Sequence, residues 1–158
     1  MINKNNLIQF GNNIDQHTKL YSDNNNIIRL IDVKYSKYYI SIFENGLIDK
    51  LSQKNIILPT FIEEVDNSGC LWLRQEKIAP ISYIFEWPSI LIYEAAKACL
   101  ELHEELIESG HCLIDYHPWN TIFSKGPKWV DIGSIKSFDS QLENSSLKQF
   151  EDTYFGII

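Results

Sequence analysis

The chain has 158 residues, 44% of them hydrophobic and 13% aromatic, which is enough apolar mass for one folded core. Its 21 acidic and 14 basic residues leave a formal net charge of −7, and with no run of Lys or Arg to override that balance the surface repels a phosphate backbone, so nucleic acid is not an expected partner. The longest apolar runs, such as Ile56 to Leu58 and Ile90 to Ile92, fall far short of a membrane span, and Met1 to Phe10 is Asn-rich rather than a charged lead into an apolar stretch.

A cytoplasmic protein of bacterial type is therefore expected, with no membrane partner. Its three cysteines, Cys70, Cys99 and Cys112, form no Cys-x-x-Cys pair and read as reduced, mostly buried thiols. A zinc cluster can be drawn from Cys99 and His103, four apart on an expected helix, with His111 and Cys112 just beyond. Its second pair could close a tetrahedron only by bending the strand that leads to Asp115.

From Met1 to Asn26 the chain is polar and rich in Asn, with Leu7, Ile8, Phe10, Ile14, Leu20 and Tyr21 to bury, and a loosely ordered N-terminal segment is expected. From Ile27 to Phe43 β-branched and aromatic residues alternate with polar ones around Val33, Tyr35, Tyr38, Ile40 and Ile42, which reads as one or two strands. Lys34 lies in this strand-like context, and Arg29 is a second cation there. The only glycines before the long helix, Gly11, Gly46 and Gly69, each stand alone, so no Gly-rich phosphate cradle is visible.

Glu44-Asn45-Gly46 is a turn, Leu47 to Leu51 has helical spacing, and Asp66-Asn67-Ser68-Gly69 joins two short apolar runs as a hairpin. Ile78 to Pro88 is an extended connector with Glu86 as a helix-entry or ligand-facing acid and Pro88 in the first helical turn. Ser89 to Ser109 is the best helix, with Leu91, Ala95, Ala98, Leu102 and Leu106 as its apolar stripe and Gly110 as its stop.

The most informative stretch is His111 to Ile135, HCLIDYHPWNTIFSKGPKWVDIGSI. Asp115 stands five residues before Asn120, and Asp131-Ile132-Gly133 follows across a hairpin of Thr121 to Phe123 with Lys128 to Ile132. An Asp and an Asn at that spacing share one tight loop, the first toward a reacting hydroxyl and the second toward a metal, and a second Asp returns to the same metal. The three side chains are expected to meet within roughly 8 Å of one point. Trp87, Trp119 and Trp129 are expected in the core. Leu147, Phe150 and Tyr154 have helical spacing near the end.

LIDYHPWNTIF followed by WVDIGSI resembles the catalytic loop and metal-binding segment of the kinase-like superfamily, in the form used by aminoglycoside and choline-type phosphotransferases. The longer run from Ile78 to Ile135 is similar to a segment near the N-terminus of bacterial class I S-adenosylmethionine-dependent methyltransferases, some of them nodulation-related. The resemblance covers roughly Phe43 to Phe138 and is most specific from Asp115 to Ser134.

It implies an α+β, kinase-like fold: a reduced strand lobe over 27–80, then a truncated helical lobe over 81–158 with the catalytic-type loop and hairpin. It further implies Asp115 as catalytic base, Asn120 and Asp131 as ligands of magnesium, His117 as an orienting residue, and Lys34 with the two metal ligands as the ATP-binding set. The chain departs from the pattern at Leu113 and Ile114, where the family carries its backbone anchors, and in having 11 positions from Asn120 to Asp131 and 23 residues after Ile135. No Gly-x-Gly turn for S-adenosylmethionine follows a first strand. The preferred reading is a pseudokinase-like accessory or ligand-binding module of the type that precedes methyltransferase domains. The alternative is a minimal Mg-ATP phosphotransferase acting on a small molecule. In a third reading the Asp and Asn residues only cap turns.

Overall fold

Six residues, Asn26–Ile31, carry four Ile or Leu side chains, a row of β-branched and long apolar residues, and they form a strand that buries Ile28 and Ile31. The computed structural model describes residues 4–10 and 17–156, which fall into two units, Met1–Ser52 with Leu58–Ile78, and Gln53–Ile57 with Ala79–Ile158.

The first unit is an antiparallel sheet of β1 (Ile8–Phe10), β2 (Thr18–Ser22), β3 (Asn26–Ile31), β4 (Thr60–Val65) and β5 (Leu71–Glu76), in the order β1-β2-β3-β5-β4. Ile28 and Ile31 of β3 and Leu71 and Leu73 of β5 are buried in its core. The N-terminal stretch expected to be loosely ordered supplies two of these strands: β2 pairs with β3 from Thr18↔Ile31 to Ser22↔Ile27. Backbone pairing compensates there for sparse apolar side chains. Gly11 and Ile14 lie outside the described residues.

A second correction concerns Val33 to Phe43, which is helix α1 (Val33–Glu44) and not strand. The Asp32 carboxylate caps it by accepting from the Lys34 amide at 2.9 Å, a contribution of about 1 kcal/mol. Ser36, Tyr39 and Ile42, spaced by three, are its buried residues. The cap and this spacing outweigh the strand preference of the Tyr and Ile residues. The following helix α2 (Leu47–Gln53) buries Leu47, Ile48 and Leu51.

The β4–β5 hairpin turns as expected. The Asp66 carboxylate accepts from the Ser68 amide and hydroxyl, the Cys70 amide and the Trp72 indole. Gly69 has φ +82°, and a Cβ there would stand 2.7 Å from the Val33 side chain, so the turn needs glycine on both counts.

The second unit is built on α3 (Ser89–Glu108). Its core stripe is Ile92, Ala95, Cys99, Leu102 and Leu106. Leu91 and Ala98 are only half-buried, so the stripe is turned from the expected one: Ile92 and Cys99 belong to the same 3-4 spacing and bury more apolar surface. Pro88 is the N-cap and not a first-turn residue, and Gly110 ends the helix at φ +76°.

Next come β6 (His111–Leu113), β7 (Thr121–Phe123), β8 (Pro127–Trp129) and β9 (Ile135–Ser137), pairing β6 with β9 and β7 with β8. The second hairpin strand stops at Trp129, and Ile132–Ser134 is a 3-10 turn capped by Asp131. The Gln53–Ile57 segment docks on β8, through the Trp129 amide to the Ile56 carbonyl at 3.0 Å and a parallel bridge from Ile57 to Trp129.

Helix α4 (Ser140–Phe150), capped by Asp139, completes the unit. Trp87 and Trp129 are buried as expected, whereas Trp119 is 53% exposed and packs edgewise near Tyr83 and Phe85. No helix among the described residues is long and apolar enough to cross a membrane.

Candidate functional site

The β6–β9 ladder closes the base of the loop that carries Asp115, and the Ile114 amide donates to the Ser134 carbonyl at 2.9 Å. Above that base the loop is organised by the Asp115 carboxylate. Its Oδ1 accepts from the His117 amide at 2.9 Å and from the Gln149 side-chain amide at 3.2 Å. Its Oδ2 accepts from the Asn120 side-chain amide at 3.2 Å. Asp115 and Asn120 share one loop, as expected from their spacing, and their side chains meet directly.

Pro118–Asn120 is a 3-10 turn, entered with the proline at its start. His117 caps it, Nδ1 accepting from the Trp119 amide at 3.3 Å, which places its ring on the loop itself. Burial pushes the His117 imidazole below its ordinary pKa, and Asp115 partly opposes that shift.

Asp131 comes back beside Asn120 through the backbone: the Val130 amide donates to the Asn120 carbonyl at 2.9 Å. The Asp131 carboxylate accepts from the Gly133 amide at 3.2 Å, and its carbonyl accepts from the Trp129 indole at 3.0 Å and the Ser134 hydroxyl at 2.7 Å. The residue is thus pinned at both ends of its own turn. Among the described residues no three His, Cys, Asp or Glu side chains gather as a metal cluster, so an ion at this loop would be held by Asn120 and Asp131 with ligands from elsewhere.

The residues that hold the loop came from outside the motif. The Gln149 side chain, on α4, accepts from the Tyr116 amide at 2.9 Å through Oε1 while its Nε2 reaches Asp115. His103 on α3 shares a 2.5 Å hydrogen bond with the Tyr116 hydroxyl, and Tyr116 is fully buried with its phenol pushed above its ordinary pKa by that burial. These two helices supply side-chain anchors, whereas Leu113 and Ile114 hold the loop only through their backbone. Tyr116 could have been noticed as an aromatic inside a polar loop, but nothing in the sequence connects Gln149 to a residue 34 positions earlier.

The residues of the zinc alternative take separate partners. Cys99 is a buried thiol pushed up to about 12 by desolvation, Cys112 donates to the Ser137 carbonyl at 3.6 Å, and His111 lies 2.7 Å from the Ser109 carbonyl. Glu86 accepts from the Tyr83 amide at 2.8 Å and so closes its own 3-10 turn. Lys34 stands at the start of α1, exposed, with its ammonium 5.4 Å from the Tyr35 ring centre. The second cation singled out by the sequence, Arg29, does lie on a strand, β3, half-buried and 3.4 Å from the Thr18 hydroxyl.

Neither a family model nor a curated protein matches the chain. Among solved structures, the 2.2 Å crystal structure of WbdD matches with TM-score 0.57 and 15% identity over 95% of this chain. The likeness is loose, and on this side it covers an α+β chain with a five-stranded antiparallel sheet. A lower-resolution WbdD structure with an ordered C-terminal bundle matches with TM-score 0.45 and 15% identity over 78% of this chain and 28% of that one. The chain spans about 37% of the length of the first WbdD chain, and at this identity the likeness concerns fold alone.

Proposed function

We propose that the chain is a pseudokinase-like accessory module, of the type that precedes S-adenosylmethionine-dependent methyltransferase domains, in which the Asp115 loop serves binding and structure and not group transfer. One observation carries this reading. Among the described residues the Asp115 carboxylate accepts three hydrogen bonds, from His117, Asn120 and Gln149. A carboxylate has about four acceptor positions, so about one is left. A general base must receive its proton within hydrogen-bond reach of the substrate hydroxyl, and a carboxylate turned this far into its own domain is poorly disposed to do so.

The second reading, an Mg-ATP phosphotransferase with Asp115 as base, is favoured by the Val130–Asn120 backbone bond, which draws the Asp131 segment alongside Asn120. One amide oxygen and one carboxylate fit magnesium, which takes one or two carboxylates and completes its shell with phosphate oxygens and water. In this reading Asn120 and Asp131 would hold the ion, whose charge offsets that of the phosphates. The phosphate-pairing cation would be Lys34 or, on the strand, Arg29.

A thermal-shift titration separates the two. A ligand that binds only the folded state adds about 2.7 kcal/mol at 100 times its dissociation constant. The module predicts little or no upshift with magnesium and ATP together. A strong upshift that needs both, is lost in Asp131→Asn, and is kept in Asp115→Asn while ATP turnover disappears would establish the phosphotransferase instead.

A further inference from the structure

Lys128 is a buried residue whose ammonium is part-buried. It is 7% exposed at the foot of β8, and its Nζ donates to the Asn55 carbonyl at 2.5 Å. An ammonium has three donors and a full positive charge, yet among the described residues no carboxylate forms an ion pair with it. Burial alone pushes its pKa below the ordinary lysine value, with no opposing charge to hold it up. Charges drawn out of water are ordinarily paired, so a part-buried ammonium with no carboxylate partner, lining a cavity, calls for an explanation.

The cavity it lines measures about 230 Å³ and is bounded by Lys54, Lys97, Lys125 and Lys128 with Glu94 and Glu101. Four lysines around one opening are out of proportion in a chain with 14 basic against 21 acidic residues. Lys54 is engaged by Glu105. Lys97 and Lys125 are exposed and form no ion pair among the described residues. The tight turn that presents Lys125 has positive φ at both Lys125 (54°) and Gly126 (119°), and Asn55, whose carbonyl accepts from Lys128, also has positive φ, 60°. Such conformations in non-glycine residues are uncommon and persist where the surroundings impose them. The volume lies below the roughly 300–1,000 Å³ typical of sites for larger organic ligands, which suits a compact anion.

We propose that this cavity binds a phosphate-class oxyanion, with Lys128 as the part-buried counter-charge and Lys97 and Lys125 closing over the ligand from its rim. None of its lining residues belongs to the Asp115 loop, so the site is separate from the one considered for magnesium and ATP. Lys128 supplies two remaining N–H donors, and charge-assisted bonds of this kind are about twice as strong as neutral ones.

The test uses the whole chain with magnesium absent. Inorganic phosphate and pyrophosphate are titrated by calorimetry at ionic strength held constant with chloride. Saturable binding with one site per chain is expected, and Lys128→Met should weaken it about tenfold or more. Lys125→Gln, on the exposed turn, should weaken it several-fold with an unchanged melting temperature, and it decides the matter if Lys128→Met does not fold. Absence of saturable binding to the parent chain, or parental affinity in Lys125→Gln and in folded Lys128→Met, would overturn the proposal. Because no magnesium or nucleotide is present, neither result depends on how the Asp115 loop behaves.

Discussion

Gln149 holds two groups at once, and replacing it with Glu tests whether that clamp orders the loop. Glu keeps one oxygen for the Tyr116 amide but turns a second carboxylate oxygen toward Asp115 Oδ1, where the amide nitrogen now sits at 3.2 Å. Two unit charges at that separation repel by about 5 kcal/mol at an effective dielectric of about 20. Both residues are half-buried, and relaxation with some water entry brings the expected loss to about 2–3 kcal/mol at pH 8.

The sign of the pH dependence follows. Two carboxylates forced together raise one folded-state pKa above its unfolded value, so the native state binds the proton more readily. The deficit is complete above the raised pKa and shrinks as pH falls toward the ordinary Glu value near 4.3. Gln149→Ala loses both bonds and leaves the Tyr116 amide without its partner, a cost of about 1–3 kcal/mol with no such recovery at low pH. Urea unfolding of both variants and the parent at pH 8 and pH 5 reads all of this. If Gln149→Glu matches the parent at pH 8, or its deficit does not change with pH, the clamp is not what orders the loop.

Trp129 is 2% exposed, so Trp129→Ala should lose about 3–5 kcal/mol in chemical denaturation. Trp119→Ala, at a site 53% exposed, should stay within about 0.5 kcal/mol of the parent; equal losses would contradict the burial assigned to the two. The Asp66 carboxyl is held below the usual carboxylate range, mainly by the Ser68 hydroxyl and the Trp72 indole, so its contribution is present above the unfolded value near 3.8 and is lost as pH falls below it. The melting-temperature gap between the parent and Asp66→Asn should therefore narrow from pH 6 to pH 3, and a constant gap would show that these bonds do not favour the charged form.

The turns were the legible part of the fold, because their chemistry is local. Asp66 to Gly69 and Gly110 behave in the structure as their residue types dictate. α1 was misread because Tyr and Ile composition points to strand while a single capping Asp32 and the Ser36, Tyr39, Ile42 spacing settle it as helix. Pairing of the strands β1 and β2 into the sheet depends on partners distant in sequence, which composition does not reveal. That Asp115 and Asn120 share one loop is legible from five residues of spacing, but their direct bond is not. Gln149 was not, because α4 brings it there by tertiary packing.

That difference bears on what the loop is for. A loop whose order came from a bound metal and nucleotide would need few protein donors on Asp115, since the ligand itself would fix the geometry. Here the carboxylate is satisfied by the backbone of its own turn, by Asn120 and by a helix 34 residues downstream, while Tyr116 is locked to α3 through His103. The Asn120 amide also uses a donor on Asp115, leaving its oxygen as the group a metal could take. Order of this kind comes from the protein's own donors, and in the proposed module it would lower the entropy cost of binding while leaving Asp115 little freedom to accept a proton. On the proposed reading, pre-organisation for binding and poor disposition for proton transfer have the same structural cause, the three bonds that Asp115 accepts.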